Sequence, residues 1–182
     1  MKLMRIICLL FLVTSFYVSS STQYQSWWIV KAHNKGFCTL EYDGSFNSHE
    51  GGRLKAFIGA AYFGDDFSFD DQDIAKGAEN GLVALKLKVS TMDIQYPIAA
   101  DILEVKIYDD IFSLKKIESG DVDIYQIIFK GDKANQLLKR FSLESSIQLM
   151  FDIPSNPEYL INISNEMFKV NHDMFKACVN SI

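Results

Sequence analysis

From about Trp27 to Phe129 the chain reads mostly as short β-type runs, the plainest of which alternates apolar and polar residues with a period of two. Only towards the end does the pattern shift to a period near 3.6. The first period belongs to strands with one buried face, the second to helices. Leu82 to Val89 is the plainest strand, with Val83, Leu85, Leu87 and Val89 set against Ala84, Lys86 and Lys88. Trp27 to Ala32, Phe37 to Tyr42, Leu54 to Phe63, Ile102 to Tyr108, Ile111 to Ile117 and Val122 to Phe129 are further β-type runs. Asn34-Lys35-Gly36 and Asp109-Asp110 supply turn chemistry between neighbours. Gly59, Ala60 and Ala61, in the middle of an apolar run, suggest a bulge or a close backbone approach.

Past Gly131 the period changes. Ala134, Leu137, Leu138 and Phe141 fall at i, i+3, i+4 and i+7, which predicts a helix capped by Asp132, with Lys139 and Arg140 suiting its C-terminal dipole. Ser146 to Asp152 and Tyr159 to Ile163 return to strand patterning around a turn at Pro154 to Pro157. From about Asn171 a terminal helix would lay Phe175, Cys178 and Val179 on the core, while Asn165 to Val170 fits either neighbour. The sum is a mainly β fold, sandwich-like and mostly antiparallel, with one or two packed helices including a C-terminal one.

The first twenty residues follow a different logic. Lys2 and Arg5, the apolar run Ile6 to Val13 and the cleavage pattern Val18-Ser19-Ser20 have the layout of a secretory signal peptide. The run is shorter than the roughly 20 apolar residues a membrane span needs. Cleavage after Ser20 would leave residues 21–182 as a single β-rich exported domain, periplasmic or secreted, without stable membrane insertion. It would shift the net charge from −5 to −7. An acidic chain is also a poor nucleic-acid surface, because phosphate contacts need clustered Lys and Arg. Export leaves Cys38 and Cys178 as an even pair in an oxidising compartment, where a disulfide is the expected outcome.

A family resemblance enters at this point. A Trp near the mature start followed by a Cys, and Gly131-x-x-Ala134-x-x-Leu137-Leu138 feeding the strand Ser146 to Asp152 before a closing helical segment, resemble small exported bacterial proteins of the invasion-associated locus B type. The likeness lies mainly in residues 122–182, and the chain lacks that pattern's further cysteines and its short Gly-containing closing motif. The resemblance implies a β-sandwich-like periplasmic protein without catalytic machinery. It transfers no functional residue.

Candidate chemistry is sparse. Asp65, Asp66, Asp70, Asp71 and Asp73 put five carboxylates into nine residues. Such a loop could contact a basic partner, or gather calcium at Asp66, Asp70, Asp71 and Asp73. It departs from an EF-hand, since Asp71 stands at the required Gly position and no Glu occupies the twelfth. His33, His49 and His172 lack the spacing of paired metal ligands; His33 reads as a turn residue and His172 as a solvated residue at a helix start. Cys38 with a histidine could form a nucleophilic pair, but no G-x-S-x-G elbow is present. Trp27 and Trp28 are adjacent on a strand, so one faces the core and the other is free to join a binding patch with the acidic loop.

These features point to a non-enzymatic exported binding protein that needs no cofactor and takes another protein as its partner: an inhibitor, an immunity-type protein or a virulence accessory. The alternatives are a hydrolase or metal-dependent enzyme using scattered Asp and His, or a carrier of small apolar ligands.

Overall fold

The computed structural model describes residues 22–33, 36–47, 53–65, 79, 81–92, 101–118, 122–153 and 156–182. Nine strands are described: β1 Thr22–His33, β2 Phe37–Asn47, β3 Arg53–Phe63, β4 Val83–Met92, β5 Ile102–Ile107, β6 Asp110–Glu118, β7 Asp123–Lys130, β8 Ser146–Ile153 and β9 Asn156–Ser164. Two helices accompany them: α1, Gly131–Leu143, between β7 and β8, and α2, Glu166–Val179, after β9. The expected mostly antiparallel β architecture with a C-terminal helix is therefore present. All nine strands belong to one sheet, in the order β1-β2-β3-β4-β7-β6-β5-β8-β9, and every pairing is antiparallel.

Alternation builds the interior. Leu40, Ala60, Leu85 and Phe129 lie side by side across β2, β3, β4 and β7, and Tyr42, Ile58, Leu87 and Ile127 form the next row. Leu103, Val105 and Ile107 on β5 and Ile147, Leu149 and Phe151 on β8 extend the same face. Side chains from both ends of the sheet meet in a single buried cluster, so the sheet curls around its apolar face. Charged residues such as Lys86, Lys88 and Glu104 stand on the other face, as a half-solvated antiparallel sheet requires.

Gly59 makes no bulge. The register runs unbroken through Glu41, Gly59 and Lys86, and the glycine instead leaves room for the Phe57 ring, which a Cβ would meet at 2.6 Å. The β5–β6 hairpin turns one residue earlier than the Asp109-Asp110 signal suggests, at Tyr108 and Asp109. Tyr108 adopts a left-handed φ of 56°. Its hydroxyl donates to the Ser146 carbonyl at 3.0 Å, and the Arg140 guanidinium stacks 4.4 Å above its ring, so tertiary contacts hold a backbone conformation that sequence alone disfavours.

The helices cover the interior. α1 lies on β4 and β7 through Ala134, Leu137, Leu138 and Phe141, the stripe read from the sequence. Its N-cap position is Lys130, without a side-chain cap, and Asp132 falls in the first turn, where its carboxylate meets the positive end of the dipole. α2 leaves one sheet edge, β9, and packs on β1 and β2 at the other. It begins at Glu166, so Asn165 stands just before it and the rest of the ambiguous segment is helical. Trp28 on β1 packs inward between Tyr42 and Phe168, with ring centroids 4.9 and 4.8 Å away. Cys38 on β2 and Cys178 in the last turn of α2 form a disulfide across 140 residues, with Cα atoms 6.1 Å apart.

Candidate functional site

The helical side of the molecule carries the features that can bind something. α2 buries Phe168, Asn171, His172 and Phe175 and leaves the opposite face open. On that face Met167, Val170 and Met174 follow at i, i+3 and i+7, each more than half exposed (57, 55 and 55%). By helical spacing Ala177 continues this stripe, and Glu166 and Asp173 border it on one side. The helix is firmly held. Asn165, buried ahead of its first turn, donates its side-chain amide to the Phe141 and Glu144 carbonyls at the end of α1. Those are carbonyls that a helix end leaves without intrahelical partners.

Between α1 and α2 lies a cavity of about 480 Å³. Each helix lines it with residues at i, i+3, i+4 and i+7: Asn135, Leu138, Lys139 and Ser142 from α1, and His172, Phe175, Lys176 and Val179 from α2. Val83 of β4 and Asn180 complete the wall. The lining combines apolar side chains with two lysines, and among the described residues no carboxylate belongs to it. Lys176 pairs with Asp173 at 2.8 Å, one turn back on its own helix.

His172 is a correction to the sequence reading. It is 9% exposed and stacked on Phe168, with ring centroids 5.2 Å apart, not solvated at a helix start. Burial first, and the neighbouring Lys176 second, push its imidazole below the usual histidine range. No hydrogen-bond partner of its ring nitrogens occurs among the described residues.

The residues singled out from sequence are dispersed. Trp28 is part of the core wall, and its buried indole N–H has no hydrogen-bond partner among the described residues. Trp27 pairs with Asp43 along β1; its side chain lies outside the described residues. Asp65 is exposed beside the end of β3, whereas Asp66, Asp70, Asp71 and Asp73, and with them the calcium reading, lie outside the described residues, as do His49 and the His33 side chain. The expected leader, residues 1–20, also lies outside them. Among the described residues no group of three His, Cys, Asp or Glu could hold a metal ion. The Cys38 sulfur is bonded to Cys178, which takes away the thiolate a nucleophilic pair would need. Among the described residues no helix is long and apolar enough to cross a membrane.

Sequence reasoning missed both the α2 stripe and the cavity. Their signal was the spacing of Met167, Val170 and Met174, visible only once the helix is known to begin at Glu166. Comparison with known protein families, with curated proteins and with solved structures found no match. The likeness to invasion-associated locus B proteins thus rests on the residues quoted for it alone.

Proposed function

We propose that the chain is an exported, non-catalytic binding protein that engages a partner protein through the outer face of α2. The observation that carries this reading is the Met167–Val170–Met174 stripe, apolar and exposed on a helix clasped at both ends. Single exposed apolar residues are ordinary, but a row of them on a rigid helix matches the helix-in-groove mode of recognition, in which anchors recur at i, i+3 and i+7. Methionines suit such a surface because their unbranched side chains adapt to a partner's shape. Glu166 along the border, and the net negative charge of the chain, favour a partner whose apolar contact segment is flanked by Lys or Arg. Export is supported by the leader pattern in residues 1–20 and by the Cys38–Cys178 bridge, since disulfides persist in oxidising compartments.

A photo-crosslinking side chain placed at Met174 is expected to give a discrete adduct that the same probe at Asn162, exposed on β9, does not. The purified pair should bind about tenfold less tightly, roughly 1.4 kcal/mol, in the Val170→Glu/Met174→Glu variant. Equal adducts at both positions, no adduct at Met174, or an unchanged affinity in the variant would each overturn the reading.

A further inference from the structure

The cavity between α1 and α2 borders the core through Leu138 and Phe175 and lies apart from the α2 stripe, and its chemistry is specific. Its volume, about 480 Å³, falls within the range of roughly 300–1,000 Å³ typical of small-molecule sites. Leu138, Phe175, Val179 and Val83 make the base apolar. Lys139 and Lys176 bring two ammonium groups, one from each helix, to the same space, and among the described residues no acidic side chain lines it to balance them. Lys176 has Asp173 beside it, but no ion-pair partner of Lys139 occurs among the described residues. His172, 9% exposed as a whole residue, also lines this cavity, and its imidazole has no hydrogen-bond partner among the described residues. Its ring nitrogens are not among the solvent-excluded polar atoms, so they stay open to a ligand atom in the cavity.

We infer that the cavity is a binding site for a small amphiphilic carboxylate, its anionic head between Lys139 and His172 and its hydrocarbon body against Leu138, Phe175 and Val179. A cation would meet two like charges there. A neutral apolar molecule would fill the base but leave the imidazole and the Lys139 ammonium unanswered, so charge selects the ligand class and the apolar base selects its body.

The test is calorimetric titration of the disulfide-intact protein with decanoate, alongside decanol and decyltrimethylammonium, with the His172 ring protons followed by NMR. Decanoate should bind and shift the His172 resonances, decanol should bind at least about tenfold more weakly, and decyltrimethylammonium should give no heat. Lys139 is exposed, so its replacement leaves the packing intact. Lys139→Glu should weaken decanoate binding by about tenfold or more, and Lys139→Gln by less. No decanoate binding, binding that leaves the His172 resonances unmoved, equal affinity for decanol, or Lys139 variants that bind as the parent does would each overturn the inference. The α2 stripe is untouched by these variants, so their outcome is independent of the partner-protein reading.

Discussion

His172 shows how much a single residue's environment depends on the element it belongs to. As the first residues of a helix, Asn171 and His172 would be wet; six residues into one, His172 lies on the buried flank against Phe168. Burial makes the imidazole harder to protonate in the folded state than in the unfolded chain, where it titrates near the ordinary value of 6.5. Below that value the unfolded state binds more protons, so His172 lowers stability progressively as pH falls. Thermal unfolding at pH 7.5 and pH 5 should therefore separate wild type from His172→Phe, which keeps the ring stack without the titration. Wild type is expected to lose more stability than the variant on acidification; parallel losses would contradict the assignment. Trp28 is the opposite case. Alternation on β1 already told that one of the two tryptophans would enter the core, and the inward one is Trp28, against Tyr42 and Phe168. Which of the pair it would be was not legible, because both directions of a two-residue register satisfy the same local pattern.

At the level of elements, strands and α1 were readable because their apolar spacing is clean, whereas the start of α2 was not. Its buried face runs Phe168, Asn171, His172, Phe175, and two polar members break the apolar stripe that would announce a helix. The residue before it compounds the difficulty. Asn165 looks like an N-cap, yet its side chain makes no cap bond to α2 and reaches back to the end of α1. One buried amide thus joins two helices that are distant in sequence. Asn165→Ala should cost about 1–3 kcal/mol, the penalty for leaving buried carbonyls unpaired, as measured by urea denaturation. A change within a few tenths of a kcal/mol would show that water satisfies those carbonyls equally well. The junction from β7 into α1 has its own requirement: Gly131 has a φ of 53°, a left-handed conformation that lets the chain pass from strand to helix with no intervening loop. A glycine directly after a strand pattern was visible in the sequence; the abruptness of the turn was not.

For the whole molecule, the pairing of Cys38 with Cys178 was the one long-range contact that could be argued from sequence, because compartment and parity left a single choice. The strand order was beyond reach. β4 pairs with β7, and β5 with β8, through connections whose length leaves several arrangements open. The bridge closes a loop spanning nearly the entire fold, and in the chain-entropy model such a loop contributes roughly 5 kcal/mol. The Cys38→Ala/Cys178→Ala variant should accordingly unfold at a clearly lower urea concentration, with a loss of about 2–5 kcal/mol. A midpoint matching that of the oxidised protein would show the cross-link to be dispensable. Reduction of wild type should reproduce the double variant.

The same bridge also imposes an order of events. Its second cysteine follows the nine described strands, and α2 can span the two edges of the sheet only once β9 exists. The completed structure is therefore inaccessible to a partly made chain. Non-local pairing of this kind slows folding, which keeps a nascent chain extended for longer. Under the export proposed above, a fold that can be locked only after α2 has emerged on the far side of a membrane would be a built-in delay.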